Sequence, residues 1–186
     1  MERTIGFPVV VKTLLGVNGT GVFLMDNHEA FTDLISLIEQ TNPDIQLIFQ
    51  KFIAMSKGRD LRLFVVDGEV IASMERRATD GGFKANYTQG AEVVEFEPDQ
   101  VAIDMAIKTA EILNLQVAGI DLLYDENGYT ICEANSFPGF KGLESCCNVN
   151  IPKKIFEAME ARLKCPKEEP ITFAEFEELR AARLQH

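Results

Sequence analysis

The alternation of apolar and polar positions divides the chain into short strands interleaved with a few amphipathic helices. Val9, Val10 and Val11 form an unbroken β-branched run ended by Lys12, which predicts a strand buried on both faces. A glycine-bearing stretch separates it from Val22-Phe23-Leu24, giving strand, glycine-rich loop, strand. Residues 26–40 predict a helix, with Asp26 and Glu29 as a capping box and Phe31, Leu34, Ile35 and Ile38 along one apolar face. Pro43 ends it, and Leu47 to Ile53 reads as the next strand. Asp60 to Val66 and Glu69 to Arg77 flank Asp67-Gly68, a hairpin signature. Glu92 to Phe96 is a short strand. Pro98 is expected at the first position of a long helix, where its missing N–H costs nothing. In that helix Val101, Met105, Ile112 and Leu113 define one face, with Ala102, Ala106, Thr109 and Ala110 beside it. Ile120 to Asn135 predicts a second hairpin, followed by a turn-rich loop from Ser136 to Gly142 and a helix from Ile151 to Leu163. Beyond Pro166 and Pro170, Thr172 and Glu175 frame a last helix carrying Phe173, Phe176 and Leu184. The long helix followed by the 120–135 hairpin gives an α/β sandwich layer.

The hairpin at 120–135 carries the most chemistry. With Glu126-Asn127-Gly128 as a three-residue loop, Asp125 pairs with Tyr129 and Asp121 lies opposite Glu133. Alternate residues of a strand share a face, so Asn135 joins Glu133. Two acids directly across a strand pair repel unless something neutralises them. A hard divalent cation held by Asp121, Glu133 and Asn135 is one remedy. Solvated acids at a hairpin edge are the other reading.

Further polar groups fall on loops and strand ends. Lys12 stands at the mouth of the loop containing Gly16, Gly19 and Gly21. This is neither a phosphate-binding strand–loop–helix motif nor a dinucleotide fingerprint, because a strand follows the loop. Bare backbone N–H groups there can still approach an anion, with Lys12 as a point charge, although an unliganded hairpin has the same pattern. On the first hairpin, Asp60 and Arg62 share one face, Glu75 and Arg77 share one face, and Arg76 points opposite to that pair. All lie near its open end, where a charged substrate could sit as readily as water. Residues 79–90 form a polar loop with Lys84 and Asn86, long enough to suggest a function.

Composition narrows the classes. The chain has 186 residues, 46% of them hydrophobic, and a net charge of −11. That charge argues against nucleic acid or an anionic membrane as the main partner, but not against a nucleotide. No apolar run is long enough to span a membrane. Cys132, Cys146, Cys147 and Cys165 lack zinc-site spacing, and reduced thiols in the cytoplasm are the expectation. His28 reads as a surface residue. The first residues lead almost at once into a strand, which suggests a larger protein cut open, with Met1 as an internal methionine.

Four features occur in order: a strand ending in Lys12 before a glycine-rich hairpin, Q-K-F-I at 50–53, G-R-D-L-R at 58–62, and G-I-D-L-L…C-E-A-N-S-F-P-G at 119–139. Together they resemble the ATP-grasp ligases over roughly residues 5–163. E-R-R-A at 75–78 and G-F-K-A-N at 82–86 are similar to the RimK-type branch, which adds glutamate or other amino acids to carboxylate acceptors. The resemblance implies two α+β subdomains with a nucleotide cleft between them. The expected boundaries are 5–53 for the small subdomain, 54–163 for the large one with the metal site, and 164–186 for a linker and helix.

It also implies ATP- and magnesium-dependent carboxylate–amine ligation through an acyl phosphate, with manganese as a substitute metal. The partners implied are ATP, an amino acid such as glutamate, and an acceptor carboxylate on a small molecule or a protein C-terminus. Self-association is common among related enzymes. On this resemblance Asp121, Glu133 and Asn135 hold metal, and Lys12 and Gly19 face the phosphates. Gln50, Lys51, Phe52 and Ile53 flank adenine, partly through backbone groups. Asp60 lies toward the ribose or adenine, and Lys84 and Asn86 close over phosphates or substrate. Arg62, Arg76 and Arg77 are candidates for binding the acyl phosphate or an acidic amino acid, a task that suits guanidinium forks. Lys84-Ala85 replaces the family's usual Arg-Ser, and Phe137 and Phe140 replace smaller or aliphatic residues. The family's N-terminal domain is expected to precede residue 1. The alternative function is therefore a nucleotide-binding or interaction module without turnover.

Overall fold

The computed structural model describes residues 4–14, 20–85 and 90–164. It contains eight strands and four α-helices among those residues: β1 (Val9–Thr13), β2 (Val22–Met25), α1 (His28–Thr41), β3 (Leu47–Lys51), β4 (Arg59–Val66), β5 (Glu69–Arg77), β6 (Glu92–Glu95), α2 (Gln100–Ile112), β7 (Val117–Asp125), β8 (Gly128–Asn135), α3 (Lys141–Cys146) and α4 (Ile151–Lys164). The chain divides into one unit at 1–151 and a second at 152–186. The described part of the second unit is the rest of α4, an exposed helix laced by Lys153–Glu157, Lys154–Glu157 and Lys164–Glu160 pairs. Gly19, Asn86, Cys165 and the expected helix after Thr172 lie outside the described residues.

The first unit holds two antiparallel sheets. The smaller has the order β2-β1-β3. Its central strand buries Val9 and Val11 but only partly Val10, so it is covered fully on one face rather than both. Helix α1 begins two residues later than expected. Asn27 is its cap, accepting from the Ala30 N–H at 3.0 Å, so the expected capping box at Asp26 is not formed. Phe31 packs edge-on to Phe7 and Phe49, but no α1 residue is fully buried.

The larger sheet has the order β6-β5-β4-β7-β8. One face carries the core: Leu61, Leu63, Val65, Ala118, Ile120 and Leu122 pack against Ala102, Ala106 and Ala110 of α2. Each fully buried aliphatic side chain here contributes about 1.5–3 kcal/mol. The buried stripe of α2 is thus its alanines. Of the face expected from Val101, Met105, Ile112 and Leu113, Met105 packs against this core, while the other three are exposed. Small side chains let the helix approach the sheet, and the helix period then turns the larger neighbours away. Asp99 caps α2 through the Ala102 N–H at 2.9 Å, and Pro98 precedes the cap instead of opening the helix. The loop expected at 136–142 gives way at Lys141 to the short helix α3, whose Leu143 is buried.

Two irregularities set which residues face each other. The β4–β5 turn pairs Val66 with Glu69, and a shift between Phe64 and Val65 then sets Asp60 against Arg76. Continued without that shift, the tip's register would set Asp60 against Glu75. The β7–β8 turn is one residue tighter than expected, pairing Asp125 with Gly128 and Tyr124 with Tyr129. A shift between Asp121 and Leu122 then restores Asp121 opposite Glu133. The expected partnership is therefore reached by a different route, a tighter turn plus a bulge at Cys132. A one-residue slip moves every later side chain to the other face, so both bulges decide the charge pattern of the sheet.

Candidate functional site

The face of the large sheet away from α2 is charged at one end. Strand pairing aligns Asp60 with Arg76, Arg62 with Asp121, and Asp121 with Glu133. Asn135 lies beside Glu133 and donates to its Oε1 at 3.1 Å. The other end of this face is apolar, where Phe140 packs edge-on to Phe64.

Asp121 is the centre of the network. Its carboxylate accepts from Arg62 Nε at 2.7 Å and Arg62 Nη2 at 2.7 Å, a bidentate fork, and from Arg76 Nη2 at 2.8 Å. Arg76 turns its Nε to Asp60 Oδ1 at 2.5 Å. Asp121 and Arg76 are both buried. Burial acts to raise the Asp121 pKa, but Arg76 and then Arg62 outweigh it and hold the carboxyl below the usual range. Burial also opposes the Arg76 charge, and Asp121 and Asp60 more than restore it. Asp60 differs: burial, only partly offset by Arg76 and reinforced by the like charge of Asp121, pushes it up to about 6.

The small sheet reaches this face through β1 and β3. Lys12 Nζ lies 3.7 Å from Glu133 Oε2 and 3.6 Å from Cys132 Sγ. Gln50 donates to the Cys132 carbonyl at 3.3 Å. Lys12, Gln50, Asp60, Arg62, Arg76, Asp121, Glu133 and Asn135 are thus gathered around the charged end of this face. Gly119, opposite Asn135, matters here because a Cβ would fall 2.7 Å from Pro138 and 3.6 Å from Arg62 Nε. Alanine at this position would clash with Pro138 and only touch Arg62.

Other expected residues lie elsewhere. Arg77 is on the α2 side of the sheet, half-exposed, and both its Nε and Nη2 bind Glu75, whose other oxygen accepts from Tyr124 OH at 3.1 Å. Phe52 packs edge-on to Phe83, and Lys84 lies 5.6 Å from the Phe83 ring centre. Phe83, Lys84, Thr79 and Asp80 line a shallow pocket of about 280 Å³. Gly58 pins this loop: its N–H donates to Phe83 O at 3.2 Å, and its positive φ of +70° leaves a Cβ only 2.7 Å from Gly82 O. Lys51 and Ile53 flank the strand end, and Phe137 is fully exposed.

The donor chemistry bears on a metal. Among the described residues no group of three or more His, Cys, Asp and Glu side chains is placed to hold one. Glu133 and Asn135 offer oxygens side by side, but Asp121 has both oxygens engaged by guanidinium groups. As arranged, the three residues do not fit a divalent cation. The repulsion expected between Asp121 and Glu133 is relieved by Arg62, Arg76 and Lys12. The hairpin sequence held no sign of this, because the arginines come from other strands. The register of the first hairpin was the available clue, and it depended on a bulge.

Comparison with known proteins identifies the family of the chain. The model of the RimK-like ATP-grasp domain matches residues 1–159. A probable alpha-L-glutamate ligase of Hydrogenovibrio crunogenus is 39% identical over 166 residues, covering 88% of this chain and 54% of the relative. A protein of the same description from Legionella pneumophila is 36% identical over 159 residues, covering 86% of this chain and 52% of the relative. The chain spans about half the length of the curated relatives it matches. Among solved structures, the ATP-grasp ligase PsnB complexed with a phosphomimetic variant of its minimal precursor, Mg and ADP superposes with a TM-score of 0.63 at 21% identity, over 87% of this chain and 48% of that one. That likeness concerns the fold.

Proposed function

Because the chain belongs to the RimK-like ATP-grasp domain family, we propose that it forms the nucleotide-binding part of an ATP-dependent carboxylate–amine ligase, with glutamate as the amine. The observation carrying this reading is the meeting of Lys12, from the small sheet, with Glu133, backed by Asp121, Arg62 and Arg76, from the large one. Basic groups from two separate sheets converge where a polyphosphate would lie between them.

In the proposed reaction an acceptor carboxylate oxygen attacks the γ-phosphorus, the bond to ADP breaks, and an acyl phosphate forms. The amine nitrogen then attacks the acyl carbon, phosphate leaves, and the nitrogen loses a proton. Such chemistry depends on positioning and charge neutralisation. Lys12 neutralises phosphate charge from the small sheet. Arg62 and Arg76 orient the phosphate or an acidic substrate by their forks. Gln50, Lys51, Phe52 and Ile53 border the adenine, Asp60 holds Arg76 in place, and Lys84 closes from the loop. Magnesium, or manganese in its place, would accompany the nucleotide. The reading includes a cytoplasmic location, where ATP is abundant, and an acceptor that is a small molecule or a protein C-terminus.

Magnesium-ATP at millimolar concentration is expected to raise the melting temperature, since a ligand bound to the native state stabilises it. No shift would count against the nucleotide site. In the whole protein, ADP release against a panel of carboxylates with glutamate as amine should depend on acceptor and fall at least a hundredfold in Glu133→Gln. Stabilisation by ATP with no acceptor-dependent ADP release would instead favour a nucleotide-binding module without turnover.

A further inference from the structure

Two of the three described cysteines meet. Cys146 is the last residue of α3, and Cys147 follows it as the cap, with its N–H on the Leu143 carbonyl at 2.7 Å. The backbone turns from helical to extended between them, with Cys147 at φ −107° and ψ 140°, and the two Sγ atoms lie 3.7 Å apart. Cys147 is buried and Cys146 part-buried, so the pair is reached from the Cys146 side. Cys132, the third, lies on β8 against Lys12.

The spacing decides between two kinds of thiol chemistry. An unstrained disulfide joins Cα atoms about 4.4–6.8 Å apart, and consecutive residues are only about 3.8 Å apart, so a direct bond between these sulfurs would be strained and easily reduced. A single atom bonded to both sulfurs at about 2.3 Å, the length of a zinc–thiolate bond, holds them about 3.5–3.8 Å apart at bond angles of about 100–110°. The observed 3.7 Å fits the single bridging atom. A linear two-coordinate ion would need the sulfurs about 4.6 Å apart at the same bond length. A structural zinc ion needs four ligands, and among the described residues no group of three or more His, Cys, Asp and Glu side chains is placed to hold a metal. The geometry suits a thiophilic centre that two sulfurs satisfy because its third position is already filled.

We propose that Cys146 and Cys147 form a chelating site for monosubstituted trivalent arsenicals, independent of the proposed nucleotide site. The Cys146 sulfur attacks the arsenic of an arsenoxide, R–As=O, and the Cys147 sulfur follows. Two arsenic–sulfur bonds form, the arsenic–oxygen bond breaks, and the oxygen leaves as water with both thiol protons. Arsenic stays trivalent and neither sulfur is oxidised. Burial, and then the hydrogen bond with Cys146, push the Cys147 thiol up to about 12. Cys147 is therefore a poor nucleophile by itself, and it closes the ring second, when the arsenic is already tethered beside it. Cys147 Sγ donates to the Ser73 carbonyl at 3.4 Å, and that carbonyl also accepts from the Phe96 N–H at 3.2 Å. Loss of the thiol proton thus leaves no buried carbonyl unpaired.

The test uses phenylarsine oxide on the folded protein, followed by mass spectrometry. One arsenical should add per chain with loss of one water, survive excess glutathione, and be released by dithiothreitol. Release by glutathione, which supplies single thiols, would mean that only one sulfur is bound and overturns the proposal. Cys146→Ser and Cys147→Ser should each weaken retention at least tenfold, and Cys132→Ser and Cys165→Ser should leave it unchanged. Retention equal to the parent in Cys146→Ser, or its loss in Cys132→Ser, overturns the proposal. If a variant at the pair does not fold, the parent decides: the dithiothreitol concentration that strips half the arsenical should be at least tenfold higher for the folded protein than for the chain in urea. Equal concentrations would mean that the fold adds nothing to two neighbouring cysteines, and they overturn the site.

Discussion

The two faces of the large sheet solve the problem of buried charge in opposite ways. Both carry an arginine on a carboxylate. On the α2 side, Arg77 reaches Glu75 from solvent, and Tyr124 and an aliphatic core fill the rest. Arg59 also stacks over the Tyr124 ring, 4.3 Å from its centre. On the other side, Arg76, Asp60, Arg62 and Asp121 are drawn into the structure with little water. A buried ion network is weak evidence for stability, since packed apolar residues serve as well or better. Strongly perturbed groups clustered in a cleft are instead a mark of a functional site. The first face holds the sheet together through its core, and the second gathers paired charges under the proposed nucleotide site.

The comparison can be broken most severely at its centre. Arg76→Met leaves Asp60 and Asp121 short of a shared partner and should cost about 3–5 kcal/mol in urea unfolding. On the apolar face, Leu61→Ala should cost about 2–4 kcal/mol, the ordinary price of a core cavity. If Arg76→Met were as mild as a surface change, the charged face would not be dry enough for this reading.

A third change sharpens the contrast through pH. The folded-state Asp60 pKa is raised to about 6, so the folded protein holds this proton more tightly than the unfolded chain. Its contribution to stability is full below about pH 4 and is lost as pH rises through about 6. Asp121 runs the other way: its pKa is lowered, so its contribution is present above the ordinary carboxylate range and is lost in stronger acid. Asp60→Asn should therefore flatten the stability profile between about pH 4 and 6, by about 2 kcal/mol, measured by chemical unfolding at a series of pH values. An unchanged slope would mean that Asp60 is better solvated than its contacts imply. Smaller still, Asp99→Ala removes the α2 cap and should cost about 1 kcal/mol by thermal melting.

Much of this was legible from residue order. Both long hairpins were foreseen, because Asp67-Gly68 and Asn127-Gly128 are strong turn signals between apolar runs, and the α+β ATP-grasp fold was foreseen from the motifs that resemble that family. Alternation also put Asp121 and Glu133 together. Less was legible in α2, where larger apolar residues drew attention from the alanines that pack. Hydrophobic patterning favours the larger apolar residues, whereas close helix–sheet approach selects for small size. Arg77 could not be separated from Arg62 and Arg76 by composition, since all three are the same residue type on one hairpin.

Sequence alone determined which segments become strands, where their turns fall and which residues can carry charge, because those depend on neighbours a few positions apart. Tertiary structure decided that β4 lies between β5 and β7, which brings Arg62 to Asp121 and, with a bulge, Arg76 to Asp60. The physical reason is that strand order and bulges are settled by packing across the whole sheet. A one-residue shift in that packing exchanges an arginine for a glutamate opposite Asp60.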